Sequence, residues 1–148
     1  MKRINEYKKL FNVEQDTDLK KLKSTYRNLV KEWHPDKFLE GDDRAAEAEI
    51  KSRQIIDGYH FLVSIAPETK TRNMEKYTAS TQSGIADYRH KGQLLEITFF
   101  DGTSYEYFGV PKSVFTKLNH SDKPLRFAKR NILNSYLYRQ SAKELQEA

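Results

Sequence analysis

Apolar residues follow a helical period in the first half of the chain. Between positions 16 and 37 they recur every three or four residues, at Leu19, Leu22, Tyr26, Leu29, Val30 and Trp33. At about 100° per residue these positions share one side of an α-helix, and an adjoining strip is basic. Similar stripes predict a short helix over 5–11 and a long one over 45–66. The two longer helices would form an antiparallel hairpin. Its facing residues would be Leu22, Leu29 and Trp33 on one helix and Ile55, Tyr59 and Leu62 on the other.

Polar residues mark the ends of these helices. Asp16 is a suitable N-cap for the central helix, and Asp18 is a favourable acid in its first turn. Pro35 ends this helix, because proline lacks an N–H and pushes the preceding His34 toward an extended conformation. Asn12 stands where the chain must leave the first helix, and asparagine is the usual alternative to glycine in a left-handed position. A basic helical face is therefore followed by a turn that carries an imidazole, a proline ring and a carboxylate.

The period changes after a run of small polar residues at 78–84, which predicts a linker. Beyond it, apolar and polar positions alternate, as is typical of strands. The predicted strands span 85–90, 94–100 and 103–110. Asp101-Gly102 predicts a two-residue type I′ hairpin between the last two strands, since both central residues of that turn need positive φ.

Helical positions return at the end of the chain. Pro111 suits the start of a helix over 112–119, and another is expected roughly from Lys123 to Asn134. We therefore predict an α+β protein, with an all-α N-terminal half followed by a small three-stranded antiparallel sheet with one or two helices. The predicted division is a helical domain at 1–77, a linker at 78–84, an α+β domain at 85–140 and a polar tail at 141–148.

Composition narrows the class of protein. The chain has 148 residues, no cysteine and a net charge of +5. The length fits one ordinary domain or two small ones. Without cysteine there is no disulfide framework, which is compatible with a reducing cytosol. No run approaches the roughly 18 apolar residues of a membrane span, and the N-terminus lacks an apolar signal region. These features favour a cytoplasmic protein with no membrane partner.

The turn at the end of the central helix, with the residues around it, resembles a motif of a known protein family. A tyrosine and a basic residue, Tyr26-Arg27, two apolar positions and then the sequence WHPDK at 33–37 resemble helix II and the HPD loop of a J-domain. DnaJ-type co-chaperones use this module to engage a DnaK-type ATPase. The segment DGYHFL at 57–62 matches the family's helix III pattern, in which alanine is commoner than Gly58. The basic segment 68–77 resembles the fourth helix that closes many J-domains.

The resemblance implies a set of partner-binding residues. His34, Pro35 and Asp36 would dock on the ATPase near its interdomain linker and stimulate ATP hydrolysis. The basic face would meet an acidic surface of the partner, with Tyr26 lining the contact; its residues are Lys23, Arg27 and Lys31. Exposed charges of this kind speed encounter more than they add affinity. Considered without the resemblance, each cation is equally a solvated surface charge, and Tyr26 equally a core residue.

The second half is similar to a KTSC domain, the small module found at the C-terminus of some lysyl-tRNA synthetases and also alone. The features that match are Ser83, Ile85, the strand 95–99, Asp101-Gly102, Tyr105, Tyr107, Val110-Pro111, Ser121, Phe127, Ile132, Tyr136 and Tyr138. The sequence departs from the family at Pro124, where glycine is usual, and at Ala128, where a second aromatic residue often stands. The activity of this family is poorly defined, and RNA binding is the usual suggestion.

Basic and aromatic residues accumulate in this half. Between 112 and 139, seven basic residues stand against Asp122 alone. Cations for phosphates and rings for stacking form the pattern of single-stranded nucleic-acid binding. The candidate residues are Tyr105, Tyr107, Arg126, Lys129, Arg130, Tyr136, Tyr138 and Arg139. A solvated basic face over a core of aromatic residues explains the same pattern. A third interpretation is a surface for protein clients at Phe100 and Phe108, which alternate away from the predicted core.

Nothing in the sequence predicts catalysis. His60, His90 and His120 lack the spacing of metal ligands, and no catalytic motif is present. We therefore expect no enzymatic activity, no metal and no cofactor. The expected function is that of a minimal J-domain co-chaperone, an activator of a DnaK-type ATPase, with a C-terminal module for targeting or client binding. The alternative is an RNA-binding or ribosome-associated protein that acts through its basic, aromatic C-terminal domain.

Overall fold

The computed structural model describes residues 2–14, 17–38 and 41–141. Within them the chain forms two compact units, a helical one over Lys2–Thr71 and a second that begins at Arg72 and contains the sheet. The predicted N-cap Asp16 and residues 142–148 of the predicted tail lie outside the described residues. Among the helices described, none is both long enough and apolar enough to cross a bilayer.

Four helices make up the helical unit: α1 (Lys2–Phe11), α2 (Leu19–Trp33), α3 (Asp43–Ile65) and α4 (Pro67–Arg72), which ends at the division between the units. The predicted pairing of α2 with α3 is confirmed. Asp18 is the N-cap of α2, where its carboxylate accepts the Lys21 N–H at 2.7 Å. It thereby pairs one of the first backbone donors of the helix.

Asn12 lies in the left-handed conformation predicted for it, with φ of 52°. Its N–H donates to the Lys9 carbonyl at 3.2 Å, and the Val13 N–H donates to the Lys8 carbonyl at 3.0 Å. These two bonds form a Schellman motif, which satisfies the last carbonyls of α1. The chain can therefore turn sharply and leave α1 packed on α3.

The core of the helical unit is built around α3. From α2 only Leu22 is fully buried, and Leu29 and Trp33 are half-buried. Phe61 on α3 is also buried, because α1 covers a second side of this helix and places the Tyr7 ring 5.4 Å from that of Phe61. Among the described residues of this unit, the buried apolar ones are Ile4, Phe11, Val13, Leu22, Ala48, Ile55, Phe61, Leu62, Ile65 and Ala66.

Gly58 marks the closest approach of α1 to α3. A Cβ at this position would lie 2.8 Å from Cδ1 of Tyr7 and 3.1 Å from Cε1 of Phe11. The departure from the alanine that is common in J-domains thus has a structural reason. Two aromatic rings of α1 occupy the space that a methyl group would need.

The second unit begins with a helix where a linker was predicted. Residues 78–82 belong to α5 (Met74–Gln82). Tyr77, Ser80 and Thr81 are buried at helical spacing, so one face of α5 packs on the rest of the unit. The small polar residues are compatible with this helix because their hydroxyls bond locally, as Thr81 Oγ1 donates to the Thr78 carbonyl at 3.1 Å. The segment 74–77, which resembled part of a J-domain helix, is therefore part of the second unit.

The sheet of the second unit has four strands where three were predicted. The strands β1 (Ile85–Lys91), β2 (Leu94–Phe99), β3 (Ser104–Phe108) and β4 (Leu137–Gln140) form an antiparallel meander in chain order. The added strand β4 pairs with β3, with Tyr107 opposite Tyr138 and Glu106 opposite Arg139. It has only four residues and depends on a partner about 30 positions earlier. Local alternation therefore could not reveal it.

The hairpin between β2 and β3 has a three-residue loop, so the predicted two-residue type I′ turn is wrong. Gly102 has a positive φ of 88°, but Asp101 does not. Thr98 pairs with Ser104, which leaves Phe99 opposite Thr103 and bonded to it at 2.9 Å. The Asp101 carboxylate accepts the Thr103 N–H at 2.9 Å instead of adopting a left-handed conformation. This arrangement has the features of a type I turn followed by a glycine bulge.

Two helices complete the second unit. The predicted helix at 112–119 is confirmed as α6 (Lys112–Asn119), and the next, α7, spans Pro124–Asn131. The core contains Tyr77, Leu95, Ile97, Phe99, Tyr105, Tyr107, Val110, Leu118, Ala128, Ile132 and Leu133. The predicted α+β class with an all-α N-terminal half is therefore confirmed.

Candidate functional sites

The turn after α2 presents two exposed side chains. His34 is extended, with ψ of 130°, and a single 3₁₀ turn (Pro35–Lys37) follows it. The His34 carbonyl accepts the Lys37 N–H at 3.0 Å and closes the turn. The side chains of His34 and Asp36 are 48% and 92% exposed. Both polar groups are therefore accessible to a partner.

His34 and Asp36 interact within the turn. The backbone N–H of Asp36 donates to Nδ1 of His34 at 3.2 Å, and Oδ2 of Asp36 lies 3.6 Å from the same nitrogen. A neutral imidazole that accepts at Nδ1 carries its proton on Nε2. The turn thus offers a partner an N–H donor from His34 and a carboxylate acceptor from Asp36.

Residues of α3 hold the base of this turn. Ser52 Oγ donates to the carbonyl of Trp33 at 2.9 Å. The Trp33 ring stacks on Phe38 with 6.4 Å between ring centroids, and Nζ of Lys51 lies 5.8 Å from its centre. Ser52 and Lys51 were not among the predicted site residues. Ser52 did leave a signal in the sequence, since it is a polar residue within the apolar stripe of α3.

The basic face of α2 is exposed as predicted from its period. Lys23, Arg27 and Lys31 are spaced four residues apart, which aligns them along the helix, and all three are exposed. Among the described residues no carboxylate pairs with any of them. Tyr26 is half-buried, with its ring stacked on Tyr59 at 4.2 Å and 15° between planes. Tyr26 therefore combines a packing role with an exposed edge beside the cations.

Two of the four tyrosines predicted to stack on nucleic acid are buried in the core. Tyr105 and Tyr107 are 3% and 0% exposed, so neither ring is accessible to a base. Tyr77 donates its hydroxyl to the Leu133 carbonyl at 2.8 Å, and its oxygen lies 2.8 Å from that of Tyr107. Burial raises the pKa of both Tyr77 and Tyr107 above the usual value. These hydroxyls form a hydrogen-bonded chain inside the core.

The remaining aromatic candidates are half-buried. Tyr138 stacks on Tyr77 at 4.2 Å with 11° between planes, and burial raises its pKa. Tyr136 packs against the same core. Arg139 is also enclosed, since its Nε lies 3.0 Å from a Glu106 oxygen and the two side chains are 9% and 14% exposed. The charge of Arg139 is thus neutralised within the sheet and is not presented to a phosphate.

The basic candidates on α7 have the opposite placement. Arg126, Lys129 and Arg130 are exposed. Two of them line an open cleft with a volume of about 390 Å³. Its residues are Ser121, Lys123, Arg126, Phe127, Arg130 and Asn131. The structure thus brings the predicted cations together on one helix and separates them from Tyr105 and Tyr107.

The two phenylalanines suggested for client binding also differ. Phe100 is 71% exposed at the β2–β3 loop, whereas Phe108 is only 9% exposed. Phe108 is the last residue of β3 and is buried, so its predicted exposure is wrong. Of the two phenylalanines, only Phe100 is exposed.

The histidines outside the turn have no common site. His90 bonds to the Val110 carbonyl through Nε2 at 2.8 Å and stacks on Phe115 at 4.9 Å. His60 and His120 are exposed. Within the described part of the chain, no three histidine or acidic side chains come close enough to hold a metal ion.

Models of two protein families match the chain. A DnaJ domain matches residues 6–70, and a KTSC domain matches residues 79–136. The first match ends next to the division between the two units at Thr71, and the second covers the first three strands of the sheet with α6 and α7, and ends just before β4. Both domains are in the order that the sequence indicated.

Three curated relatives are similar to part of the chain. The chaperone protein DnaJ of Mesomycoplasma hyopneumoniae (strain 232) is 33% identical over 73 residues, which is 49% of this chain and 19% of that protein. The co-chaperone protein HscB homolog of Colwellia psychrerythraea is 42% identical over 59 residues, which is 38% of this chain and 34% of that protein. The chaperone protein DnaJ of Hydrogenobacter thermophilus is 36% identical over 59 residues, or 40% of this chain and 15% of that protein. The chain therefore spans at most about a third of the length of these relatives.

Proposed function

The chain joins a DnaJ domain to a KTSC domain, and on this basis we propose that it is a J-domain co-chaperone. It stimulates ATP hydrolysis by a DnaK-type chaperone and is not itself the hydrolase. The observation that carries the proposal is the exposed pair His34 and Asp36, placed directly after an exposed helical face of cations. The similarity of this half to proteins named DnaJ and HscB supports it.

The two parts of this surface have different roles in the proposed complex. Lys23, Arg27 and Lys31 attract an acidic surface of the ATPase and speed association, because exposed charges act mainly on the encounter rate. Tyr26 adds an apolar contact. The His34 N–H donor and the Asp36 carboxylate then bond to the ATPase near its interdomain linker, and Pro35 limits the freedom of the turn between them. Such a contact suits a transient complex that forms and separates in each cycle.

The KTSC domain serves targeting or client binding in this proposal. Phe100 is the exposed apolar side chain that favours a protein client. The second candidate function, RNA or ribosome association, is favoured by the exposed cations of α7. Both roles are compatible with a cytoplasmic protein that brings a DnaK-type chaperone to its substrate.

The test is single-turnover ATP hydrolysis by a DnaK-type chaperone, with and without this protein. We expect stimulation by the wild type and its loss in His34→Gln. Glutamine keeps polarity, but its amide cannot reproduce the ring geometry that accepts the Asp36 N–H and presents an opposite donor. The melting temperature should be unchanged, since His34 is exposed.

A matched control is His120→Gln, which makes the same exchange at an exposed histidine of the second unit. It should stimulate like the wild type. If folded wild-type protein gives no stimulation with any DnaK-type chaperone of its source cell, or if His34→Gln stimulates fully, the proposal is wrong.

A further inference from the structure

Among the described residues, no carboxylate pairs with the cations at the start of α7 and along one side of it. Arg126 and Arg130 are four residues apart on α7, which places them on one side of the helix, and Lys123 is the N-cap residue of this helix. All three are exposed, and none of their side chains pairs with a carboxylate of the described residues. Like charges one turn apart repel each other and lower stability slightly. This arrangement therefore has a small cost within the chain that an anionic ligand would remove.

These cations surround a defined cleft. It is open, has a volume of about 390 Å³ and contains no carboxylate among its lining residues. Beside the cations it includes the hydroxyl of Ser121, the amide of Asn131 and the half-buried ring of Phe127. The Asn131 amide donates to the Phe127 carbonyl at 3.0 Å, which fixes the side chain at the edge of the cleft.

We propose that this cleft binds the phosphodiester backbone of single-stranded nucleic acid. Arg126 and Arg130 provide planar forks of donors that suit phosphate oxygens, and Lys123 adds a point charge. The exposed side of the Phe127 ring gives a base a surface for stacking. The inference rests on the second candidate function and replaces its predicted stacking residues Tyr105 and Tyr107, which are buried.

Other anionic partners fit the cleft less well. A membrane surface is generally bound with apolar side chains that insert between lipids. No large hydrophobic residue of α7 is exposed, since the exposed ones described are Ile50, Ile56, Met74 and Phe100. An acidic peptide would use the cations but leave the ring of Phe127 without a role.

The test is fluorescence anisotropy of the full chain with a labelled oligouridylate of about 12 nucleotides, within the site sizes known for single-strand binders. Titrations run from about 50 to 200 mM salt, over which phosphate contacts weaken strongly. In Arg126→Ala with Arg130→Ala we expect affinity to fall at least about tenfold. The slope of log affinity against log salt should decrease in magnitude by about 1.4, because each lost single-strand contact contributes about 0.7.

The charge-matched control is Lys112→Ala with Lys117→Ala, two exposed cations of α6 that do not line the cleft. Its affinity should change less than about twofold, since its cations do not contact the ligand. Phe127→Leu should weaken binding and leave the salt slope unchanged, because it removes stacking and no charge. Circular dichroism checks that each variant is folded.

Several outcomes would overturn the inference. They are no binding by the wild type at low salt, an equal loss in both double variants, and binding of poly-glutamate or phosphatidylserine vesicles that matches RNA in affinity and in dependence on Arg126 and Arg130. A matched DNA oligonucleotide shows which nucleic acid is preferred. The same variants should stimulate the DnaK-type ATPase normally. If nucleic-acid binding does not depend on the cleft but ATPase stimulation is intact, the co-chaperone proposal still stands. If binding depends on the cleft but the protein does not stimulate the ATPase, the cleft proposal stands and the co-chaperone proposal is wrong.

Discussion

The two units place the same residue types in opposite environments. On α2 of the helical unit, Arg27 is exposed, no carboxylate of the described residues pairs with it, and Tyr26 is half-buried. In the second unit, Arg139 is 8% exposed beside Glu106, and Tyr107 is fully buried. An arginine close to a tyrosine in the chain is therefore exposed in the helical unit and buried in the second unit. The difference arises because Arg27 lies on the exposed side of a helix, whereas Arg139 pairs with Glu106 of the adjacent strand and Tyr107 lies in the core.

The largest effect should come from Arg139→Ala. The exchange leaves the Glu106 carboxylate buried without its partner, which typically costs about 3–5 kcal/mol. We expect the second unit to lose about 3 kcal/mol of its free energy of unfolding in urea, followed by near-UV circular dichroism of its tyrosines. Trp33 is the only tryptophan of the chain and lies in the helical unit. Its fluorescence transition should not move.

Adding Glu106→Gln to Arg139→Ala tests whether the lost stability comes from the unpaired carboxylate. A neutral amide is cheaper to bury than a carboxylate, so the double variant should regain part of the lost stability. Equal stability of the single and double variants would show that the pair contributes through packing and not through charge.

Arg27→Ala should have little effect on stability and a large effect on ATPase stimulation. It is an exposed position, so the free energy of unfolding should change by no more than about 0.5 kcal/mol. Stimulation of a DnaK-type ATPase at sub-saturating concentration should fall about tenfold, which corresponds to about 1.4 kcal/mol, within the range of a charge-assisted hydrogen bond. The salt dependence of stimulation should also weaken. Arg126→Ala, an exposed arginine of the other unit, is the matched control and should stimulate normally.

Packing differs between the units as well. The helical unit excludes even a methyl group at Gly58, whereas the core of the second unit is organised by tyrosine hydroxyls. Gly58→Ala should gain about 1 kcal/mol of helix propensity but lose about 1–3 kcal/mol to overpacking against Tyr7 and Phe11. We expect a net destabilisation of about 1 kcal/mol, measured by Trp33 fluorescence in urea. Tyr7→Leu in the same chain should reduce this cost, and a stabilising Gly58→Ala would contradict the close contact.

The smallest effect on stability concerns the aspartates of the two turns. Partial burial acts to raise the pKa of Asp101, but hydrogen bonds from Ser80 and Thr103 and the charge of Lys76 outweigh it and hold that pKa below the usual value. Its stabilising contribution is therefore present above the unfolded pKa of about 3.9 and is lost as the pH falls through the lower folded value. Asp101→Asn should lower stability at pH 7 slightly and flatten the loss of stability below about pH 4.

Asp36→Asn is the counterpart in the HPD turn. Its side chain is 92% exposed, so stability should be unchanged while stimulation of the ATPase is lost. A change of stability with Asp36→Asn, or of stimulation with Asp101→Asn, would break the distinction between the two turns. For both variants, stability is measured by thermal melts and ATPase stimulation by single-turnover assays.

Elements whose conformation depends on neighbouring residues could be predicted from the sequence, whereas elements that depend on distant residues could not. The helical hairpin, the left-handed Asn12 and the exposure of the α2 cations follow from periods and turn chemistry within a few residues. The strand β4 and the helix α5 do not. Leu137–Gln140 is a strand because Glu106 and Tyr107 lie opposite it. Residues 78–82 are helical because Tyr77, Ser80 and Thr81 pack on a sheet that is formed later in the chain.

The candidate sites follow the same rule. The HPD turn was predictable since its residues are contiguous, but its support by Ser52 and Lys51 required the pairing of α3 with α2. On the second unit, the cations predicted for nucleic-acid binding at positions 126, 129 and 130 lie together on α7 and are exposed. Their cleft could not be predicted, because alternation along a strand does not tell which face a helix will cover.

The contact of α5 with β4 has a consequence for synthesis of the chain. Tyr77 stacks on Tyr138, and Lys76 reaches Gln140 at 3.4 Å, so the first and last elements of the second unit lie side by side. At roughly 5–20 residues per second, Tyr77 waits several seconds in translation before its partner is made. The helical unit has all of its residues by Thr71 and can fold during that interval. The second unit, in contrast, can complete its sheet only after β4 has been made.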